Sequence, residues 1–228
     1  MRNSQPKVSA IIAAAGESQR MNGIDKILAP LGGRPVISYV LAAFGDCQPV
    51  DRIVLVVNEK SLEACRQLIA KEGFSKPVDV CIGGKRRQDS VAAGLSKLKD
   101  CQWVVIHDGA RPLVAKELIE QGLKEAQETG AAVAAVPVTD TIKTAGDDRI
   151  VLETPSRQNL WAVQTPQVFR LDIITEAYQK AKGEVTDDAS LVEQAGYKVK
   201  LYMGSYDNIK ITTPGDLSVA ETIIKHGK

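Results

Sequence analysis

Short apolar runs alternate with amphipathic stretches along this chain, and the alternation predicts its elements. VSAIIAA at 8–14 reads as a buried strand, RIVLVV at 52–57 as a second, 78–82 as a third and 103–106 as a fourth. Between them apolar residues recur at helical spacing: over 35–44, over 59–71 with Leu62, Cys65, Leu68 and Ile69 on one face, and over 89–98. Pro35 is expected at the first helical position, where its missing N–H has no intrahelical partner to lose. The strands are apolar throughout rather than alternating, so both sheet faces are covered. Strands interleaved with helices give βαβ units. The predicted fold class is α/β, a Rossmann-like doubly wound, mainly parallel sheet. The pattern leaves the strand order open.

The second half changes character. A helix over 117–129 and a strand over 131–138 are followed by 139–160, a polar, turn-rich segment with a Gly146-Asp147-Asp148 turn. A structureless loop of that length is unusual inside a compact domain. The segment therefore reads as a protruding β-arm, and pairing with a partner subunit is the simplest way to bury its edges. Trp161 is expected to pack this arm onto the core. Helices follow over 171–181 and 187–194, the latter closed by Gly196, then a strand over 198–203. Thr213, Pro214 and Asp216 supply an N-cap, a proline at N1 and an acid at N3 for a last helix. The expectation is one domain over 1–228, with 139–160 as a dimerisation arm.

At 228 residues, the chain can bury the core such a domain needs. Its 29 basic and 28 acidic residues nearly balance, which argues against a general nucleic-acid or membrane-surface binder. The first residues lead into no long apolar stretch with a cleavage site, and the apolar run at 10–15 is far too short to span a bilayer. A cytoplasmic protein is expected. Cys47, Cys65, Cys81 and Cys101 form no C-x-x-C pair and only two histidines are present, so free thiols and no protein-built metal site are expected.

Candidate chemistry lies mainly where strands end. AAAGESQRM at 13–21 follows the first strand; its small residues allow close backbone approach to a phosphate, and Arg20 and Lys26 add positive charge. It matches neither the P-loop nor the dinucleotide fingerprint, and a plain strand-to-helix turn explains it equally well. GGKRRQDSV at 83–91 offers glycines, three cations and Ser90, or simply a basic turn with a helix cap. HDGARP at 107–112 offers Asp108 for ribose hydroxyls or a metal-bound phosphate and Arg111 as a phosphate clamp, or an Asp-Gly turn with an ion pair. His107 alone reads as a packed histidine. Thr141 and Arg157 in the arm, Thr186-Asp187 at a helix start and Asn208-Ile209-Lys210 each have a simple structural explanation.

As an ordered set, however, these motifs are specific. AAAG…RM at 13–21, Lys26, GG..R.DSV at 83–91, HDGARP at 107–112, DTIK at 140–143, R-x-x-L-W…QTPQ at 157–167, TDDA at 186–189 and NIKIT at 208–212 resemble the methylerythritol phosphate cytidylyltransferase family of the non-mevalonate isoprenoid pathway. The resemblance covers nearly the whole chain and implies a nucleotidyltransferase-type sheet. It implies that Ala14, Ala15 and Gly16 lie against CTP, with Arg20 and Lys26 on its phosphates. Gly84, Lys85 and Ser90 would frame the cytosine, and Asp108 and Arg111 would stand between the nucleotide and the acceptor. Thr141 and Arg157, offered by a partner's arm, would grip methylerythritol phosphate, while Thr186 and Lys210 complete the centre. A homodimer with interlocked arms follows from the same resemblance.

The implied reaction is in-line attack by the acceptor's phosphate oxygen on the α-phosphorus of CTP. Mg²⁺ held mainly through the CTP phosphates, with Arg20, Lys26, Lys210 and Arg157, would offset the repulsion between two anions. The alternatives are a cytidylyltransferase for another polyol phosphate such as ribitol 5-phosphate, a non-catalytic nucleotide sensor on the same fold and a dehydrogenase. The retained cations count against the sensor, and the missing dinucleotide fingerprint counts against the dehydrogenase.

Overall fold

A computed structural model describes residues 7–17, 20, 21, 25–98 and 100–226. Ser18 and Gln19 of the 13–21 loop lie outside the described residues. The central sheet is built from β1 (Val8–Ala14), β4 (Val50–Val57), β5 (Val78–Ile82), β6 (Trp103–Asp108), β7 (Ala131–Pro137), β10 (Trp161–Arg170) and β11 (Lys200–Met203). Their order is β11-β7-β10-β6-β1-β4-β5. β10 runs antiparallel to β6 and β7, and the other pairings are parallel. The chain winds outward from β1 through β4 to β5, then returns to lay β6 on the other side of β1. That reversal opens a crevice at the carboxyl ends of β1 and β6, the place where doubly wound sheets bind ligands.

Alternate strand residues feed two cores. Ala10, Ile12, Ile53, Leu55 and Val105 pack against α1 (Val36–Asp46), α2 (Leu62–Glu72) and α4 (Lys116–Thr129). Ile11, Val54, Val56, Val104 and Ile106 face α3 (Arg87–Leu95), α5 (Leu171–Lys180) and α6 (Asp188–Gln194). The mainly parallel doubly wound sheet expected from the apolar runs is thus present, covered on both faces. A last helix, α7 (Pro214–His226), closes a smaller cluster with Met21, Leu31, Val36 and Ile211.

Helix starts differ slightly from the pattern-based expectation, for local reasons. Pro35 precedes α1 instead of opening it, because it pairs with Pro30 in a hairpin of β2 (Pro30–Leu31) and β3 (Arg34–Pro35) turned by Gly32 and Gly33 at positive φ. The freed amides of α1 are satisfied by the preceding chain: Val36 donates to Ala29 O at 3.0 Å and Ile37 to Ile27 O at 2.9 Å. These bonds pin the segment that carries Lys26. α3 begins two residues earlier than expected, since Asp89 sits at N3 and its carboxylate accepts the Arg86 amide at 3.2 Å. Arg87 is thereby the first residue of the helix. At α7, Asp216 Oδ2 accepts the amides of Thr212 and Thr213 at 2.8 Å, as the capping signal predicts.

The strand β10 went unrecognised in the sequence. Its QTPQ centre is polar, and an interior proline argues against a central strand. The structure accommodates Pro166 at an interruption: pairing with β7 skips from Val163 to Gln167, and pairing with β6 begins only at Gln167. His107 bridges that interruption. Its Nε2 donates to Arg111 O at 3.2 Å, and its Nδ1 accepts from the Thr165 hydroxyl at 3.0 Å. Thr165 Oγ1 in turn accepts the Asp108 amide at 3.0 Å. The Arg111 carbonyl can only accept, so Nε2 carries a proton; burial disfavours a second proton and leaves the ring neutral, with Nδ1 toward the Thr165 hydroxyl. The expected arm emerges after β7 as a small separate sheet of β8 (Thr144–Ala145) and β9 (Val151–Glu153), with Ile150, Val151 and Leu152 exposed. Trp161 opens β10 opposite Pro137 and remains 38% exposed, so it does not seal the arm onto this chain's core.

Two measurements test this packing. A Cβ on Gly94 would meet Ile11 Cγ2 at 2.7 Å and Val56 Cγ2 at 3.2 Å, where α3 presses on the sheet. Gly94→Ala is expected to lower unfolding stability by about 1–3 kcal/mol in urea titrations. Burial pushes His107 down to about 4. The unfolded chain takes up that proton near pH 6.5 and the folded chain only near 4, so this term makes stability fall as pH drops through that interval, by up to about 3 kcal/mol. An NMR titration should find the His107 ring neutral at about pH 5.5; protonation at its ordinary pH would contradict the network.

Candidate active site

The crevice at the ends of β1 and β6 holds two adjoining cavities. The first, of roughly 200 Å³, is lined by residues 13–16, Lys26, Gly84, Lys85, Arg86, Ser90 and Asp108, among others. The second, of roughly 440 Å³, lies beside the β10 interruption and is lined by Arg111, Gln164, Thr165, Gln167, Thr186, Asp187, Ser190 and Glu193, among others. Arg87, Asp108 and Lys210 line both and form the wall between them.

Each wall residue is placed by its element. Asp108 ends β6, and its amide is held by Thr165. The 208–212 segment is tied beneath it: Ile211 donates to Ala110 O at 2.7 Å, and Asn208 Nδ2 to Thr165 O at 2.8 Å. Lys210 Nζ consequently reaches Asp108 Oδ2 at 2.7 Å. Arg87 Nε meets Asp108 Oδ1 at 3.2 Å. Arg111 Nη1 donates to Asn208 O at 2.7 Å, while its Nε lies 3.7 Å from Asp108 Oδ2 and, although buried, makes no hydrogen bond. Asp108 is only 7% exposed. Burial alone would raise its carboxyl, but Arg87 and Lys210 outweigh that and hold it well below the usual carboxylate range. Burial, then the neighbouring Lys210, lowers Lys26, with Asp108 opposing.

Ser90 is buried and donates to Gly84 O and Arg86 O, at 3.3 and 3.1 Å, which folds the glycine turn over the start of α3. Glycine is required there: a Cβ at Gly84 would lie 2.3 Å from Asp89 Cβ, and one at Gly83 2.6 Å from Ala15 Cβ. The residues singled out in four separate motifs, Ala14, Ala15, Gly16, Lys26, Gly84, Lys85, Ser90, Asp108 and Lys210, thus line one cavity, and Arg111 and Thr186 line its neighbour. Arg20 is exposed and is not among the described residues lining either cavity, although it is near enough to lower Lys26. Thr141 and Arg157 are exposed on the arm, outside both cavities of their own chain, and Arg157 donates to Thr139 O.

Some wall-building residues had no assigned role in the sequence reading. Gln164, Thr165 and Gln167 come from the unrecognised strand. Gln167 Nε2 donates to Asp187 Oδ2 at 2.8 Å, and its Oε1 accepts the Ala189 amide at 3.2 Å, which sets the start of α6 against the second cavity. The QTPQ tetrapeptide was visible as a motif, but its strand context was not.

Comparison with known proteins agrees with this geometry. The model of the 2-C-methyl-D-erythritol 4-phosphate cytidylyltransferase family matches residues 8–226. The chain is 50% identical over 222 residues to the 2-C-methyl-D-erythritol 4-phosphate cytidylyltransferase of Dehalococcoides mccartyi, covering 97% of this chain and 98% of that one. It is 47% identical to the protein of the same name from Caldanaerobacter subterraneus, over 96% of this chain and 99% of the other. A crystal structure of 4-diphosphocytidyl-2C-methyl-D-erythritol synthase from Anaerococcus prevotii superposes with a TM-score of 0.86 at 31% identity, covering 97% and 99% of the two chains. The chain belongs to the 2-C-methyl-D-erythritol 4-phosphate cytidylyltransferase family and is a nucleotidyltransferase.

Proposed function

We propose that the two cavities are the CTP and 2-C-methyl-D-erythritol 4-phosphate subsites of one centre, which forms 4-diphosphocytidyl-2-C-methyl-D-erythritol and releases pyrophosphate. The observation that carries this reading is the shared wall. Arg87, Asp108 and Lys210 face both cavities, so ligands in the two meet there. In the first cavity Ala14, Ala15 and Gly16 take the nucleotide, Arg20 and Lys26 its phosphates, and Gly84, Lys85 and Ser90 the cytosine. Asp108 accepts ribose hydroxyls. In the second, Arg111, with its unbonded buried Nε, and Thr186 take the acceptor.

The acceptor phosphate is ionised near neutral pH and needs no covalent nucleophile on the protein. One of its oxygens attacks the α-phosphorus of CTP in line; the new P–O bond forms as the bond to pyrophosphate breaks. The protein positions the two anions and stabilises charge on the transferring group through Lys26, Lys210 and Arg20. Burial, then the neighbouring Lys210, lowers Lys26 in this cavity, and the negative charge of a triphosphate would act in the opposite direction.

Magnesium fits this site as a phosphate-held ion. Asp108 is the one carboxylate among the described residues lining the first cavity, and no group of three or more His, Cys, Asp or Glu among the described residues could hold a metal. Its oxygen ligands would come from the triphosphate and water, with Asp108 the nearest protein oxygen donor. Bound there, it would neutralise phosphate charge and orient the leaving group.

Thr141 and Arg157 complete the acceptor subsite from a partner's arm in a homodimer. Support comes from the arm itself: Ile150, Val151 and Leu152 are 53–73% exposed, an apolar run that a lone chain leaves in water. A cytoplasmic location agrees with the absence, among the described residues, of any helix long and apolar enough to cross a membrane.

Pyrophosphate release is expected with CTP plus 2-C-methyl-D-erythritol 4-phosphate and not with ATP, GTP or UTP. Turnover with ribitol 5-phosphate alone would move the acceptor assignment. Lys26→Ala and Lys210→Ala should each lower kcat about ten- to a hundred-fold, the loss of one charge-assisted contact. Arg157→Ala should mainly raise KM for the sugar phosphate.

Mixing Arg157→Ala with Lys210→Ala chains separates arm exchange from action within one chain. If Arg157 acts across the dimer, each mixed dimer regains one intact site and activity reappears. A mixture no more active than its parents would refute the trans arrangement.

A further inference from the structure

A buried ionic relay stands behind the wall between the two cavities. Arg87 Nη2 lies 2.8 Å from Asp188 Oδ2, an ion pair at contact distance whose N–H is not aligned on the oxygen. Asp188 is 1% exposed and Oδ1 accepts the Tyr178 hydroxyl at 2.5 Å. Tyr178 comes from α5, Asp188 opens α6 and Arg87 opens α3, so three helices of one sheet face meet at this carboxylate. Asp188 lines neither cavity among the described residues, whereas Arg87 lines both.

We infer that Asp188, steadied by Tyr178, is a positioning residue that acts through Arg87 to hold Asp108 between the two substrates. This rests on the reading of the cavities as the CTP and acceptor subsites. Asp108 is faced by three cations, Arg87, Arg111 and Lys210. Asp188 is the fully buried member of its pair and Arg87 is half-buried, and a carboxylate that deep needs its cation. With Asp188 present, Arg87 divides its charge between two carboxylates and offers Asp108 only its Nε, on Oδ1. Oδ2 is left for Lys210 at 2.7 Å. Without that second carboxylate Arg87 has Asp108 as its remaining ion-pair partner, and the competition falls on the Lys210 contact. The Tyr178 phenol is pushed up by burial and by Asp188, so it stays a donor and fixes which oxygen Arg87 meets. Burial alone would lower Arg87; Asp188 and Asp108 outweigh it and raise it, so the pair remains ionic.

Asp188→Asn and Tyr178→Phe test this beside wild type and Val192→Ala. Val192 is a fully buried α6 core residue, and its truncation loosens the same helix without touching the relay. Steady-state kinetics with CTP and 2-C-methyl-D-erythritol 4-phosphate should show kcat down roughly ten- to a hundred-fold in Asp188→Asn, as misplacement of a reacting group produces. KM for CTP should change far less than kcat, because Asp108 is one nucleotide contact among several and the Ala14–Gly16 turn, Gly84, Lys85 and Ser90 are untouched. Tyr178→Phe should lower kcat in the same direction by less, and it decides the matter if Asp188→Asn does not fold. Val192→Ala should lower the unfolding midpoint yet keep kcat. A kcat in both relay variants equal to that of Val192→Ala would overturn the inference and leave the site reading intact. Absence of turnover in wild type would overturn the site reading and the inference with it.

Discussion

The Asp108 carboxylate, almost out of water at the end of β6, is the interaction on which the rest of the site depends. An unpaired charge at that depth is too costly to keep. It stays ionised because Arg87, Arg111 and Lys210 surround it. Those three come from α3, from the turn after β6 and from a segment about a hundred residues further on. One carboxylate therefore locks together the glycine turn over the first cavity, the Arg111 turn and the 208–212 return. The backbone supports the same junction: Thr165 holds the Asp108 amide and the His107 ring, and Asn208 holds Thr165. Sheet topology supplies the place, since the reversal at β1 is what leaves the ends of β1 and β6 open.

Much of this was legible in the sequence, for identifiable reasons. The βαβ pattern could be read because β1 and β4 are apolar on both faces, and a strand covered on both sides needs no alternation. The capping residues of α7 announced themselves because Asp216 performs a local task, three and four residues from the amides it accepts. β10 could not be read. Pro166 and the polar Gln164, Thr165 and Gln167 are the opposite of a core strand's composition, and they belong there only because the ladder is interrupted where the second cavity opens. A site feature had overridden the local pattern. Likewise, no single motif carried the site. The Ala14–Gly16 turn, Ser90 and Lys210 each had an ordinary structural explanation, and only the fold brings them to one cavity. Arg87 could be read as ordering its loop or as one cation of a solvated basic run; it turns inward because α3 starts at it, while Lys85 and Arg86 remain in the loop before it.

The arm obeys a different logic. Its two short strands pair with each other and stand apart from the central sheet, and its apolar side chains point to no core of this chain. Exposed Ile150, Val151 and Leu152 make it costly as a free hairpin, since an isolated two-stranded ribbon is marginal in water. Thr141 and Arg157 sit on that arm, away from the two cavities of their own chain. On the proposed reading, in which Thr141 and Arg157 serve the acceptor subsite, a partner chain would cover the exposed apolar run and bring these two residues to a cavity at once.

The electrostatics of the wall explain why such a site is kept. Arg111 leaves a buried donor unbonded, and burial, then the neighbouring Lys210, lowers Lys26 in a half-enclosed cavity. Both features oppose folding. A protein selected for stability alone would replace them with apolar groups, because buried ionic clusters rarely outperform good packing. On the proposed reading of the cavities an anionic ligand offsets them: its phosphate oxygens would face Lys26 and Lys210 and accept from Arg111. Binding energy then arises from defects already present in the resting protein. On that reading it would be largest at the wall, where the attacking oxygen, the α-phosphorus and the leaving pyrophosphate would be held together and preorganised charge is most effective.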